Sequence, residues 1–323
     1  AQKVGETDSP LSCPRVARTA DAAQHPPAPG RGNALRWASA LLIGALVAII
    51  NLLLWRAFNP PLTAPDVPSR VAGLAYNGFQ RWQSPLTPSF PSDAALADDL
   101  QRLAGLTTRL RTYSASELPM LPALAAQAGL RLSAGVWLDS RRSNNEREIA
   151  AIIDAVPRHP GIERVIAGNE SQLRGVLAPS ELYGYLDRLR AVLSVPVSTA
   201  EPWHVWLRQP ALVDHVDFIT VHLLPYWEGL PVELAVDYAL QRLNEVRQRF
   251  PGKPVVIGEI GWPSHGDRVG AAEATPAAQA GFVRAFLEQA PRLDVDYYLL
   301  EAVDQPWKRA TEGAVGAHWG LLD

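Results

Sequence analysis

The chain has 323 residues, with 30 lysines and arginines against 33 aspartates and glutamates and a net charge of -3; its pI is near 6.2, so its charge points to no nucleic-acid partner. A single cysteine, Cys13, excludes an internal disulfide and a zinc framework. Ten tryptophans stand against seven phenylalanines and one methionine, a balance suited to cores and clefts where a flat ring with a polar edge is useful.

In chain order, residues 1–34 read as a disordered segment rich in Pro, Ala and Gly, with no apolar period. Cys13 has no apolar run before it, as a lipoprotein cysteine needs, and reads as an unremarkable thiol. The chain begins at Ala1 rather than Met, so some N-terminal sequence is expected to be missing or processed. Residues 35–55 read as one transmembrane helix. From Trp37 to Trp55 there is no charge, and at ~1.5 Å per residue the run covers the hydrocarbon core of a bilayer. Trp37 and Trp55 sit where an interfacial belt places them, and Arg15, Arg18, Arg31 and Arg36 flank the upstream end. Basic flanks stay cytoplasmic, which places the C-terminal part outside the cytoplasm. A buried core helix and a cleaved signal peptide are the alternatives; the length argues against the first, the long basic region and missing cleavage site against the second. Residues 56–70 form a Pro-rich linker.

Residues 71–323 have the composition and size of a (β/α)8 barrel. Strand-like runs lie at 71–76, 107–113, 131–138, 162–169, 196–200, 216–223, 254–260 and 295–303. Helix-like segments fall between them, near 93–105, 117–128, 144–156, 179–194, 204–214, 232–250 and 275–290. The helix from Val232 to Phe250 is the clearest, amphipathic and closed by Pro251-Gly252. This alternation predicts an α/β fold, a parallel TIM barrel, with a doubly wound sheet as runner-up. No glycine-rich dinucleotide fingerprint follows a strand, so no such cofactor is expected.

A barrel carries its chemistry where the strands end. Those ends present Tyr76, Asn77 and Trp82; Arg111-Thr112-Tyr113; Trp137-Leu138-Asp139; Asn169-Glu170; Glu201-Pro202-Trp203; His222 with Tyr226-Trp227; Glu259 with Trp262; and Glu301, Asp304, Trp307 and Lys308. An aromatic floor with polar rims suits sugar rings, although each tryptophan serves equally well as a plug between barrel and helices. Glu201 and Glu301 read either as cleft residues or as ion-pair partners of Arg111 or Lys308. His222 has no cluster of ligands around it and reads as a hydrogen-bonding residue; no metal is expected.

Glu170 and Glu259 each follow a β-branched, apolar run, the pattern of a strand covered on both faces. A carboxylate at the tip of such a strand is costly unless it faces a cleft or a partner. Two of them on one repeating β/α chain suggest an acid/base pair across a shared pocket, the arrangement that glycosidic bond cleavage needs.

Gly258-Glu259-Ile260-Gly261-Trp262-Pro263-Ser264, Gly168-Asn169-Glu170, Gly73-Leu74-Ala75-Tyr76, Arg111-Thr112-Tyr113, Pro225-Tyr226-Trp227, Asp304 to Lys308 and His318-Trp319-Gly320-Leu321 together resemble glycoside hydrolase family 17, the β-1,3-glucanase and β-1,3-glucanosyltransferase family. The resemblance covers about Gly73 to Leu321. It implies that Glu259 is the nucleophile and Glu170 the acid/base of a retaining enzyme, with carboxyls ~5–5.5 Å apart. At that spacing the anion of Glu259 opposes a second negative charge, so Glu170 serves as the acid. Asn169 is expected to bond the sugar 2-hydroxyl, and Tyr76 and Tyr226 to touch the nucleophile or the ring. Substrate contacts are further expected from Arg111, Tyr113, Glu201, Trp203, His222, Trp227, Trp262, Glu301, Asp304, Trp307 and Lys308.

The chain departs from the family pattern at Ile260, where Thr is usual, at His222 and Leu224, where many members carry Asn and Tyr, and at Gln305, where many carry another Glu. It also stops soon after the last turn, where plant members continue, so either the domain is cut short or the natural chain runs on past Asp323. The expected protein is a bacterial inner-membrane enzyme with one N-terminal anchor and a periplasmic barrel, acting on β-glucan beside a separate or fused glucan synthase. A non-catalytic glucan-binding scaffold and a barrel acting on another β-glycan are the alternatives.

Overall fold

The structure is a computed structural model that describes residues 31–59, 70–87 and 89–322, with side chains from residue 35 onward. The expected disorder of residues 1–30, the thiol of Cys13 and most of the Pro-rich linker lie outside the described residues. The chain divides into two compact units, with the division after Leu62.

The first unit contains one helix, α1 (Arg31–Phe58). It begins before the apolar run and extends past it, so residues 31–34 and 56–58, expected in the flanking segments, are helical. No proline stands between Gly30 and Pro60 to interrupt the hydrogen-bond ladder, and Asn59-Pro60 ends it. Leu35–Phe58 is long and apolar enough to cross a membrane, and its apolar side chains are exposed within the chain.

In the second unit the strands β1 (Leu74–Ala75), β2 (Arg109–Arg111), β3 (Arg131–Val136), β4 (Ile162–Asn169), β5 (Val197–Pro202), β6 (Ile219–Leu223), β7 (Val255–Ile260) and β8 (Tyr297–Leu299) close a parallel barrel in sequence order. β1 pairs with both β2 and β8, which seals the sheet. The helices α2 (Asp93–Leu103), α3 (Leu121–Gln127), α4 (Arg142–Arg158), α5 (Pro179–Val192), α6 (Trp203–Arg208), α7 (Val232–Arg249) and α8 (Pro276–Gln289) fall between strands as the alternation predicts, and α9 (Arg309–Glu312) follows β8. The Ser92 side chain accepts from Ala95 N–H and caps α2; Thr275 caps α8 in the same way, just before Pro276.

Two apolar layers result. Val165, Ala167, Ile257 and Ile260 face outward and pack with helix residues such as Ile149, Leu182 and Phe286. Ile166, Ala200, Phe218, Val256 and Tyr298 form a separate cluster inside the barrel. Where the strands begin, Arg109 and Arg164 both bond Asp296, at 2.7 and 2.6 Å, and Glu163 lies 3.0 Å from Arg109.

Strict alternation would send Glu259 outward with Ile257, because side chains change face at each residue. The register prevents this. Val221 faces Ile257 but His222 faces Glu259, so β7 spends an extra residue at Gly258. On β4, Ile166 faces Ser198 and Asn169 faces Ala200, three steps against two. These bulges fall at Gly168 and Gly258 and turn Asn169 and Glu259 to the inner face. Gly168 has φ +87, and a Cβ there would lie 2.9 Å from Ser171 Oγ and 3.0 Å from Thr199 Oγ1. A Cβ on Gly258 would lie 2.5 Å from Thr220 Cγ2.

Gly168→Ala is therefore expected to cost about 1–3 kcal/mol through left-handed strain and overpacking. Thermal unfolding of the full chain in detergent checks this. An unchanged midpoint would show that the bulge tolerates a side chain.

Candidate active site

At the mouth of the barrel, four strands, β2, β4, β6 and β7, deliver one cluster. Arg111, at the end of β2 and 1% exposed, donates from Nη1 to Glu259 Oε1 at 2.7 Å and to the Gly258 carbonyl at 3.0 Å. Its Nη2 donates to Asn169 Oδ1 at 2.6 Å. Because arginine only donates, Asn169 turns its oxygen to Arg111 and keeps its Nδ2 hydrogens for a ligand. The Tyr113 hydroxyl also donates to Glu259 Oε1, at 2.9 Å. Oε1 is thus tied down twice and Oε2 is the freer oxygen.

Glu170 follows β4 with φ 55, a left-handed conformation that a non-glycine residue adopts at a cost of about 1 kcal/mol or more. Its backbone N–H donates to the Ala200 carbonyl and its carbonyl accepts from Arg174 N–H, which fixes this bend. Its side chain is 23% exposed and reaches solvent. His222 Nδ1 lies 2.8 Å from Glu170 Oε1 and 3.5 Å from Glu259 Oε2. One carboxylate oxygen from each glutamate and one ring nitrogen of His222 fall within 4.8 Å of one another. These three atoms could also ligate a cation, although the Arg111 guanidinium already supplies fixed positive charge to Glu259.

Burial by itself would push the Glu259 carboxyl up, but His222, Arg111 and Lys308, helped by the Tyr113 hydrogen bond, outweigh it and hold the group below its usual range. Glu259 is an anion at neutral pH. Burial and the neighbouring Glu259 keep the Tyr113 hydroxyl protonated and available as a donor. Beside this cluster Lys308 Nζ donates to Glu301 Oε1 at 2.6 Å, and Asn77 Nδ2 reaches Glu301 Oε2 at 3.4 Å. Burial pushes Glu301 up despite Lys308. Burial alone would lower Lys308, but Glu301 and the other carboxylates hold it raised, so it stays the cation of the pair.

Arg111, Tyr113, Asn169, Glu170, His222 and Glu259 are therefore brought together, with Glu301 and Lys308 adjoining. Other expected contacts need correction. The Tyr76 hydroxyl donates to Asp99 of α2 at 3.0 Å, so this ring braces a helix and does not face the nucleophile. Tyr226 and Trp262 are fully buried and pack edge to face, Tyr226 on the Asp267 carbonyl and Trp262 Nε1 on the Glu273 carbonyl. Their rings plug the space between barrel and helices and offer no face to a sugar. Glu201 is fully buried and accepts from the Gln172 and Leu173 N–H groups, at 2.7 and 3.2 Å, anchoring the loop after Glu170. Asp304 accepts from Gly320 N–H at 2.8 Å and pairs with His318 at 3.0 Å, fastening the final turn. Trp203 is half-buried, with Nε1 on Glu228 and one face under Arg242. Trp227 is 41% exposed. Trp307 is half-buried, its edge against Phe79 and its Nε1 on Gln305.

Sequence reasoning passed over Arg174, whose guanidinium covers the Trp137 ring at 4.5 Å and whose Nε donates to the Asn169 carbonyl at 3.0 Å. Its one signal was its place four residues after Glu170. A cavity of about 1020 Å³ lies at the opposite end of the barrel, lined by Arg164, Asp217, Arg247, Lys253 and Asp296 among others. It contains none of the expected site residues, and these charges bond to one another or to backbone.

The model of the BtgE/BtgC glycoside hydrolase domain matches residues 73–320. A glucan 1,3-beta-glucosidase of Arthroderma benhamiae is 28% identical over 245 residues, which cover 69% of this chain and 79% of that protein. One from Schizosaccharomyces pombe is 29% identical over 248 residues, 69% of this chain and 76% of that protein. The glycoside hydrolase family 17 β-1,3-glucanosyltransferase from Rhizomucor miehei superposes with a TM-score of 0.69 at 26% identity, covering 77% of this chain and 92% of that one. An active-site mutant of a Rhizomucor miehei β-1,3-glucanosyltransferase in complex with laminaritriose gives 0.70 at 25% identity, covering 78% and 92%.

Burial pushes the Glu201 carboxyl up to about 7 from 4.5, against the opposing pull of its two N–H donors. The folded chain therefore holds this proton more tightly than the unfolded chain. The resulting stability is full below about pH 4.5 and is lost as the pH rises through about 7. Glu201→Gln has no such proton to lose and is expected to flatten the fall of the thermal midpoint between those values. An unchanged slope would show that Glu201 stays ionised.

Proposed function

The chain belongs to the BtgE/BtgC glycoside hydrolase family, and from that premise we propose that it cleaves and transfers β-1,3-glucan chains with retention of configuration. The observation that carries this reading is the spacing of the two glutamates. An oxygen of each lies within 4.8 Å of the other, which fits the ~5–5.5 Å of retaining enzymes and falls short of the ~6.5 Å at which a water fits between the carboxyls of inverting ones.

Each carboxylate has one engaged and one freer oxygen. Glu259 Oε2 attacks the anomeric carbon while Arg111 and Tyr113 hold Oε1. Glu170, accepting from His222 on Oε1, gives the proton on its other oxygen to the departing sugar oxygen. The C–O bond to the leaving sugar breaks as the glycosyl–Glu259 ester forms. Glu170, now a carboxylate, takes a proton from water or from a sugar hydroxyl, whose oxygen attacks the anomeric carbon and displaces Glu259 as the free carboxylate. Water gives hydrolysis and a sugar hydroxyl gives transfer. The Asn169 Nδ2 hydrogens are placed to bond the 2-hydroxyl, where a contact strengthens as positive charge develops on the ring. The exposed Trp227 and half-buried Trp203, Trp307 and Trp137 offer rims for neighbouring sugars.

Glu259→Ala is expected to lower turnover of laminari-oligosaccharides by about 10⁴-fold or more. Glu170→Ala should fail on the same substrates yet still consume an aryl β-glucoside with a good leaving group, and added azide should capture the ester as the β-glycosyl azide. Wild-type turnover in Glu259→Ala, or an α-azide, would refute the assignment.

The membrane placement has its own support. The apolar helix Leu35–Phe58 fits a single N-terminal anchor, with Trp37 and Trp55 near its ends, Arg31 before it and Arg36 in its first turn. The relatives named above are fungal; the helix and its basic flank support an anchor with the barrel outside the cytoplasm, and a bacterial inner membrane with a periplasmic barrel is the address we propose for it. A barrel held at a membrane works on glucan delivered there, which makes a glucan synthase, separate or fused, the partner that the anchor implies. The full chain expressed in bacteria should stay with membranes through alkaline carbonate extraction, and its barrel should be cut by protease added to spheroplasts. Release into the supernatant would show that the helix is not an anchor.

A further inference from the structure

His222 stands on β6 between the two glutamates, and only its Nδ1 faces them. Both neighbours of Nδ1 are carboxylate oxygens, so Nδ1 carries the hydrogen. The other nitrogen, Nε2, is buried without a hydrogen-bond partner and lies 3.3 Å from where a Cβ on residue 258 would be. The ring is therefore seated against the bulge at Gly258, with one N–H for two acceptors and no second nitrogen linked to a proton relay.

We infer that His222 is a positioning residue whose Nδ1–H holds Glu170 Oε1 in the free enzyme and is already in place for the anion that Glu170 becomes as the glycosyl-enzyme forms. The inference rests on the roles proposed above for the two glutamates. Before the attack the charge is on Glu259, where Arg111 and Tyr113 meet it, while the histidine N–H rests on Glu170 Oε1 at 2.8 Å with Glu259 Oε2 at 3.5 Å. When Oε2 bonds the anomeric carbon, Glu259 becomes an ester and Glu170, having given up its proton, becomes the anion. The histidine keeps its hydrogen throughout, and its bond to Glu170 strengthens as that carboxyl takes the charge. When the ester is hydrolysed or transferred, Glu170 regains a proton and the bond weakens again.

Asparagine Nδ2 and histidine Nδ1 are both bonded to Cγ, so the two side chains place an N–H donor at nearly the same point. What the site requires is that donor and not an imidazole. The titratable and charged groups that face His222 are Glu170 from β4, Glu201 from β5 and Glu259 from β7, with Arg111 and Tyr113 reaching Glu259 from the β2 side.

The test compares His222→Asn, which keeps the donor, with His222→Leu, which keeps bulk and removes it. On laminari-oligosaccharides His222→Asn should retain turnover within about fivefold. His222→Leu should lose about 10- to 100-fold, the worth of a hydrogen bond to a charged group. Without the donor the Glu170 anion is less well held, so the alkaline limb of kcat/KM in His222→Leu should move up by about one pH unit, a change that a packing defect does not produce. Asparagine as inactive as leucine in a folded chain would overturn the inference, as would a leucine variant with wild-type rate and profile. A second measurement needs no turnover: the ¹⁵N spectrum of His222 in the wild-type chain should show the hydrogen on Nδ1 and should shift in both Glu170→Gln and Glu259→Gln. A hydrogen on Nε2 with none on Nδ1 overturns the inference. A wild-type chain inert toward laminari-oligosaccharides but with this spectrum retires the glucan reading and leaves the shared donor standing.

Discussion

The guanidinium of Arg111 is the contact on which the rest of the site depends. It is planar, permanently charged and buried, and it joins Glu259 and the Gly258 carbonyl of β7 to Asn169 of β4. Removing it would leave a buried carboxylate without its nearest cation, a loss of about 3–5 kcal/mol in comparable pairs. A lysine could not replace it, since one ammonium cannot span both strands with the same fork. The same contact aligns the Glu259 carboxylate proposed as nucleophile, fixes which end of Asn169 faces the cleft and keeps Glu259 ionised.

Charge in the barrel mouth is arranged in balanced pairs. Arg111 answers Glu259 and Lys308 answers Glu301, while Glu170 is left with only the His222 N–H and some contact with solvent. That difference in surroundings suits the opposite tasks proposed for two glutamates of identical chemistry. The strain is placed here as well: the left-handed Glu170, Gly168 and both bulges fall within a few residues of the reacting atoms. At the other end of the barrel Arg109, Glu163, Arg164 and Asp296 bond to one another. Stability is concentrated where the strands begin and chemistry where they end, the division usual for this architecture.

Much of this was legible in the residues. Apolar runs of strand length, separated by helical periods and closed by turn signals such as Pro251-Gly252, specified the order of elements, because burial on both faces of a parallel strand demands such runs. Glu170 and Glu259 stood out because a carboxylate at the end of a buried strand is expensive without a purpose. The misplaced contacts share one cause. Tyr226, Trp262, Tyr76, Glu201 and Asp304 all follow strands, and position along the chain says nothing about whether a side chain turns into the mouth or out toward the helices.

The sequence alone determined the barrel, the apolar helix ahead of it and the two acids, since these depend on local period, length and the cost of burying charge. Only the tertiary structure decided which strand-end residues meet. Facing in a sheet alternates with every residue, so one added residue at Gly168 or Gly258 reverses it, and such a bulge is visible only once the neighbouring strand is in register. The shared donor of His222 was decided in the same way, for it depends on three strands placing one nitrogen and two carboxylates within a few ångströms.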